Sequence, residues 1–234
     1  MSSSSKVVIR LMMLLLILLV SQSNANQFKS DNMCSITREV LCVKQVFEII
    51  TTTVKIIART ISEVETNIVS SDANIDTVNH IFKQQLYKIR DQLPTRQYHT
   101  KLLRLNNINK VAYLIHLLLE AHDAMSFYYN SIDDILNVSF VSSSNVQLKQ
   151  IQDNLRYEII CEYRSVLNVY SHEWTPINHI NRLEFAPTTY PSTPSFTHNY
   201  QSIFVVKILN EWMKLIDSVI IKLKAENFLT AKAS

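Results

Sequence analysis

Apolar residues recur along four long stretches of the chain at the spacing of a helix rather than a strand. In the first, Ile36, Val40, Val43, Phe47, Ile50, Val54, Ile57, Ile61, Val64 and Ile68 alternate steps of four and three without a miss. That stripe is one continuous apolar face, and Val46, Ile49 and Ile56 widen it enough to touch two neighbours. Gln45, Glu48, Thr52, Lys55 and Arg59 fall on the opposite, wet side. The second stretch runs from about Lys101 to Leu136, with Leu105, Val111, Leu114, Leu118, Met125, Tyr129, Ile132 and Leu136 on one side. The third opens at Ser144, with Gln147 three residues on as a capping box, and buries Leu148, Ile151, Leu155, Ile159, Tyr163, Val166 and Tyr170. The fourth, Gln201 to about Glu226, buries Val205, Ile208, Leu209, Trp212, Ile216, Val219 and Leu223. A shorter pattern between the first two, Ile75 to Leu93, is stopped by Pro94.

The links between the long stretches set their directions. About thirty residues, Ser71 to Thr100, separate the first two, and about twenty-seven, Trp174 to Tyr200, separate the last two; the middle link is only Asn137 to Ser144. A helix of roughly 30 residues is about 45 Å long, so parallel neighbours need a long return connection and antiparallel ones a short turn. Long, short, long predicts an all-α, four-helix, up-up-down-down bundle with two long crossovers and a subsidiary helix in the first. A full-length helix over Ile75 to Leu93 is the alternative that would turn the first crossover into an up-down hairpin. The prolines Pro176, Pro187, Pro191 and Pro194 mark the second crossover as irregular and extended.

Composition narrows the function. None of the 234 residues is glycine. Phosphate loops, dinucleotide fingerprints and the nucleophile elbow all need glycine where backbone turns sharply or approaches a ligand, so those enzyme classes are excluded. Lys6 and Arg10 precede the apolar run Leu11 to Val20, and Ser23-Asn24-Ala25 fits a signal-peptidase site. Residues 1–25 are therefore expected to be a signal peptide, and 26–234 one secreted, monomeric, extracellular domain without stable membrane insertion. Removing Lys6 and Arg10 takes the formal charge from +3 to +1, which gives no footprint for nucleic acid. In an oxidising compartment at least two of Cys34, Cys42 and Cys161 should pair. Antiparallel first and third helices would bring Cys161 towards the other two, with either as its partner.

Candidate chemistry is sparse. His116 and His122 lie six apart and do not share a helix face, His172-Glu173 lacks the second histidine of a zinc protease, and no paired carboxylates emerge. No catalytic residue, metal or cofactor is expected. Asn137-Val138-Ser139 is a glycosylation sequon in the short link. Phe204 sits at the edge of the fourth helix's polar stripe, one turn before Lys207. It reads either as a helix-start anchor under the incoming loop or as an exposed interface aromatic beside a cation.

Phe204-Val205-Val206-Lys207 resembles the Phe-x-x-Lys motif of the interleukin-6-type cytokines, in the branch of leukaemia inhibitory factor, oncostatin M and ciliary neurotrophic factor. Glu211-Trp212 is similar to a Gln/Glu-x-Trp portion of some members, and the likeness is that of a diverged, fish-like one. The resemblance implies a secreted up-up-down-down cytokine bundle that binds cell-surface receptor chains of haematopoietin type and catalyses nothing. It implies cysteines at the first helix tied to the third. It also implies that Phe204 and Lys207 engage a signalling receptor, and that exposed faces of the first and third helices engage a shared chain. Gln45, Thr52, Lys55, Arg59 and Arg156 are candidates there by face. Two other functions fit a secreted helical chain: a helical-bundle enzyme inhibitor and an exchangeable lipid-binding protein. The long second crossover and cysteine count weigh against the first, and the continuous aliphatic stripes against the second.

Overall fold

The computed structural model describes residue 34 and residues 43–71, 75–104, 111–138, 142–171, 173–185 and 193–225. Among these every regular element is helical. The chain falls into two units, Met1–Thr37 and Arg38–Ser234. Cys34 is the described residue of the first unit, and the helices below belong to the second. The expected signal peptide, Cys42 and the start of the first apolar stripe lie outside the described residues.

Helix α1, Val43–Ser71, is rich in isoleucine, valine and threonine. Branching at Cβ gives these residues modest helix preference, so burial must hold this helix. Ile50, Ile57, Ile61 and Val64 are fully enclosed, each contributing roughly 1.5–3 kcal/mol. The threonines are accommodated by bonding backward: the Thr51 hydroxyl donates to the Phe47 carbonyl and that of Thr60 to Ile56.

Helix α2, Ile75–Ile89, is 15 residues against the 29 of α1, and a 3₁₀ turn, Arg90–Gln92, follows it. Leu93 then turns extended (φ −70°, ψ 144°), the conformation the ring of Pro94 imposes on its predecessor. The second apolar stretch starts earlier than expected, with helix α3, Gln97–Arg104, and continues as α4, Val111–Leu136. The middle of α4 is enclosed on several sides: Ala121, Ala124, Met125, Phe127 and Tyr128 are all buried.

The third stretch is α5, Asn145–Asn154, a π turn, Leu155–Ile160, and α6, Cys161–Tyr170. Two expectations fail here. Ser144 makes no side-chain cap, because its hydroxyl is 2.9 Å from that of Ser142. Tyr170 is 40% exposed, because it is the last residue of α6, where the helix ends. With no glycine to end α6, Ser171 leaves helical geometry (φ −133°, ψ −23°) and its hydroxyl oxygen accepts the Glu173 N–H at 3.3 Å.

Helix α7, Pro194–Ala225, starts seven residues before the expected position. The Thr193 hydroxyl accepts the Phe196 N–H at 3.2 Å, and Pro194 follows at the first helical position, where its missing N–H costs nothing. The serine, threonine and proline of this segment therefore cap a helix as well as build a crossover.

Helix α1 packs on α7 and along α5, the π turn and α6; α4 packs on the same third stretch and on α7; α3 lies against α4 and α7. Trp212, Tyr128, Tyr163 and Phe204 are the bulkiest fully enclosed side chains. Cys34 and Cys161 are each disulfide-bonded.

Candidate functional site

The wet face expected for α1 is exposed. Gln45, Thr52, Lys55 and Arg59 all face solvent, at spacings that keep them on one side of the helix. Arg156 lies in the π turn, half-buried, with its guanidinium 4.9 Å from the ring centre of Tyr157. Its element packs against α1, so these polar side chains belong to adjoining elements.

Phe204 is not exposed. Its ring is fully buried, 4.8 Å from Phe82 of α2 and 5.6 Å from Phe185 of the second crossover. The exposed-aromatic reading does not hold, because α2 and the crossover cover the edge of α7 that the helical wheel leaves open; Phe204 is packed as the anchor reading has it, but well inside α7 rather than at its start. Lys207 is half-buried, with Nζ 5.4 Å from the Phe82 ring centre, a cation–π contact across to α2. The pair read as one motif thus divides into a core aromatic and a lysine resting on it. Asn137 is exposed at the end of α4 and its Nδ2 donates to Asp133 Oδ2 at 3.1 Å; Ser139 of the sequon lies outside the described residues.

The residues sequence reasoning missed lie along α4. Arg96, before the first residue of α3, carries no capping oxygen. Glu120 supplies one from α4: its carboxylate accepts the N–H of Tyr98 at 3.2 Å and of His99 at 3.0 Å, and the His99 Nδ1–H at 2.7 Å. Burial pushes the Glu120 carboxyl up, but the bonds from the His99 ring and the His99 and Tyr98 backbone outweigh it and hold the group below its ordinary value. The preceding pair, Pro94-Thr95, and the apolar run around Glu120 were the available signals.

Two residues on, His122 is fully buried with Nδ1 2.9 Å from Asp123 Oδ1, while Arg164 of α6 donates Nε–H to His122 Nε2 at 3.0 Å. An imidazole that accepts at Nε2 is neutral and carries its proton on Nδ1. The Arg164 guanidinium lies 4.0 Å from the Trp174 ring centre, closing the network with a cation–π contact. Further along α4, Gln152 Nε2 donates to Asp133 Oδ1 at 2.9 Å.

Both crossovers run over this side of α4. Asn130 Nδ2 donates to the carbonyls of Ile177 and Ile180, at 3.0 and 2.9 Å. Gln92 Oε1 accepts the Glu184 N–H at 3.0 Å, and Ser131 Oγ accepts that of Leu183 at 2.9 Å. Between the crossovers lie two depressions, of about 690 and 440 Å³, that share Gln92, Ile180 and Asn181. Among the described residues no three histidine, cysteine or acidic side chains gather as a metal centre would require, and no helix is long and apolar enough to cross a membrane.

Comparison with protein-family models, with curated proteins and with solved structures finds no match to this chain.

Proposed function

We propose that this is a secreted helical cytokine of interleukin-6 type, whose activity is to hold receptor chains of haematopoietin type in a signalling geometry. The observation that carries this reading is the order of contacts between the long helices. Arg164 meets His122 while Gln152 meets Asp133, so the third stretch runs back along α4. Ser142, at the turn after α4, bonds Asn199 near the start of α7, and Lys222 near its end bonds the Leu103 carbonyl ahead of α4. Phe47, early in α1, lines one small cavity with Leu117 of early α4, Tyr163 of α6 and Ile220 of late α7. These pairings favour α1 and α4 up, and the third and fourth stretches down. The disulfide fits an oxidising compartment and a secreted chain.

The docking surface in this reading is the exposed face of α1, Gln45, Thr52, Lys55 and Arg59, together with Arg156. Lys207 is a second candidate through its charged end; Phe204 supports it from below. The test is a receptor-signalling reporter assay comparing the full chain with Lys55→Glu/Arg59→Glu. A loss of potency with an unchanged melting temperature is expected, and wild-type potency would remove this surface.

A further inference from the structure

The two depressions beside α4 form one groove. Its floor is a single helical face, His116, Glu120, Asp123, Phe127, Asn130 and Asp133, spaced so that each turn of α4 adds a residue. From His116 to Asp133 the helix rises about 25 Å at about 1.5 Å per residue. An extended chain of about eight residues, at about 3.3 Å each, spans the same length. The walls carry two 3₁₀ turns, Arg90–Gln92 and Ile177–His179, with extended backbone at Ile180 (ψ 128°). They are also fixed before any ligand arrives, by Asn130 holding both ends of the 3₁₀ turn Ile177–His179, and by Gln92 holding Glu184.

The lining charge is mostly negative. Asp91, Asp123, Asp133 and Glu184 carry carboxylates along the groove. The arginine among the lining residues, Arg182, bonds Asp134 outside the groove at 2.7 Å. Asp133 accepts from the neutral amides of Gln152 and Asn137, which orient its carboxylate without cancelling its charge. A narrow channel with fixed walls, carboxamides at its waist and carboxylates along its length is complementary to an extended main chain carrying cationic side chains.

We propose that the groove between the crossovers docks an extended, lysine- or arginine-bearing segment of a partner protein. Hydrogen bonds between the segment's main chain and the carboxamides of Gln92 and Asn181 at the waist would hold it, and the carboxylates would select its charge. The groove lies on α4 and the crossovers, whereas the receptor surface proposed above lies on α1 and the π turn, so failure of one leaves the other standing.

The test uses the full, disulfide-bonded chain and a labelled octapeptide of alternating lysine and threonine, with the glutamate–threonine octapeptide as its counterpart, read by fluorescence anisotropy. The lysine peptide is expected to bind and the glutamate peptide not to, with affinity falling as salt rises from about 25 to about 250 mM. Asp91→Lys/Glu184→Lys, at exposed positions, should weaken binding about tenfold or more, and Asn181→Trp, which fills the waist, should block it. Lys55→Ala on α1 should bind as wild type. Equal binding of the two peptides, no binding below about millimolar concentration, or undiminished binding by the charge-reversed and waist-filled chains would overturn the proposal.

Discussion

The α1–α7 seam and the crossover-facing side of α4 hold the same bundle by different means. The first is aliphatic and aromatic: Ile50, Ile57 and Ile61 on α1, Val205, Leu209 and Trp212 on α7, all buried. Its attraction is proportional to area and indifferent to direction, so it fixes that these helices pack but tolerates many arrangements of similar volume. The second is directional. Glu120, His122, Asn130 and Asp133 each meet a specific donor or acceptor on another segment, and a shift of one residue would leave several buried polar groups unmatched. The aliphatic seam thus supplies stability, and the polar side sets which crossover lies where.

Substitutions can break this contrast from either end. Phe204→Ala, which empties the aromatic cluster, should lower unfolding free energy by about 4 kcal/mol in chemical denaturation, so any loss of activity would follow from lost structure. Lys207→Ala beside it should cost well under 1 kcal/mol. On the polar side Arg164→Met, unbranched and apolar, should cost about 3 kcal/mol because it leaves the acceptor nitrogen of a fully buried histidine unmatched. A double-mutant cycle with His122 should show the two changes to be strongly non-additive.

Glu120→Gln preserves volume yet should cost about 2 kcal/mol at neutral pH, since an amide cannot accept all the bonds a carboxylate does. Because the folded Glu120 titrates below its ordinary 4.5, its stabilisation is complete above that value and is lost as pH falls through the lower folded value. The gap between wild type and Glu120→Gln, followed by urea unfolding from neutral pH downward, should therefore close on acidification. An equally conservative change in the aliphatic seam, Ile57→Leu, should cost only about 1 kcal/mol and show no such pH dependence. The smallest effect belongs to the exposed face: Lys55→Ala and Arg59→Ala should each move stability by less than about 0.5 kcal/mol, leaving them free to report on binding.

What could be read from the sequence follows the same division. The core face of α1 from Phe47 to Ile68 is as periodicity places it, and so is the buried face of α7 from Val205 to Leu223. Both are set by local repetition of apolar residues. Positions whose environment comes from elsewhere were not legible. Phe204 is buried by Phe82 and Phe185, which are distant in sequence, and no helical wheel includes them. Glu120 looks like an ordinary helix acid until Tyr98 and His99 are seen to lack a local cap. The start of α7 was missed because Thr193-Pro194 has the composition of a loop while capping a helix.

The π turn has a consequence for what a single residue can do. Leu155 faces the core, and at about 100° per residue a regular helix would place Arg164, nine positions later, on the far side, in water. A π turn absorbs one residue beyond the α-helical repeat, which swings everything after it by roughly a quarter turn. Arg164 then comes inward to His122 and Trp174. Deleting one residue between Asn154 and Cys161 would let the segment close as a regular α-helix with the side chains of α6 still aimed at the same neighbours, whereas regularising it at its present length would turn Arg164 away from His122. The π turn, as much as the identity of Arg164, carries the instruction for how the third stretch meets α4.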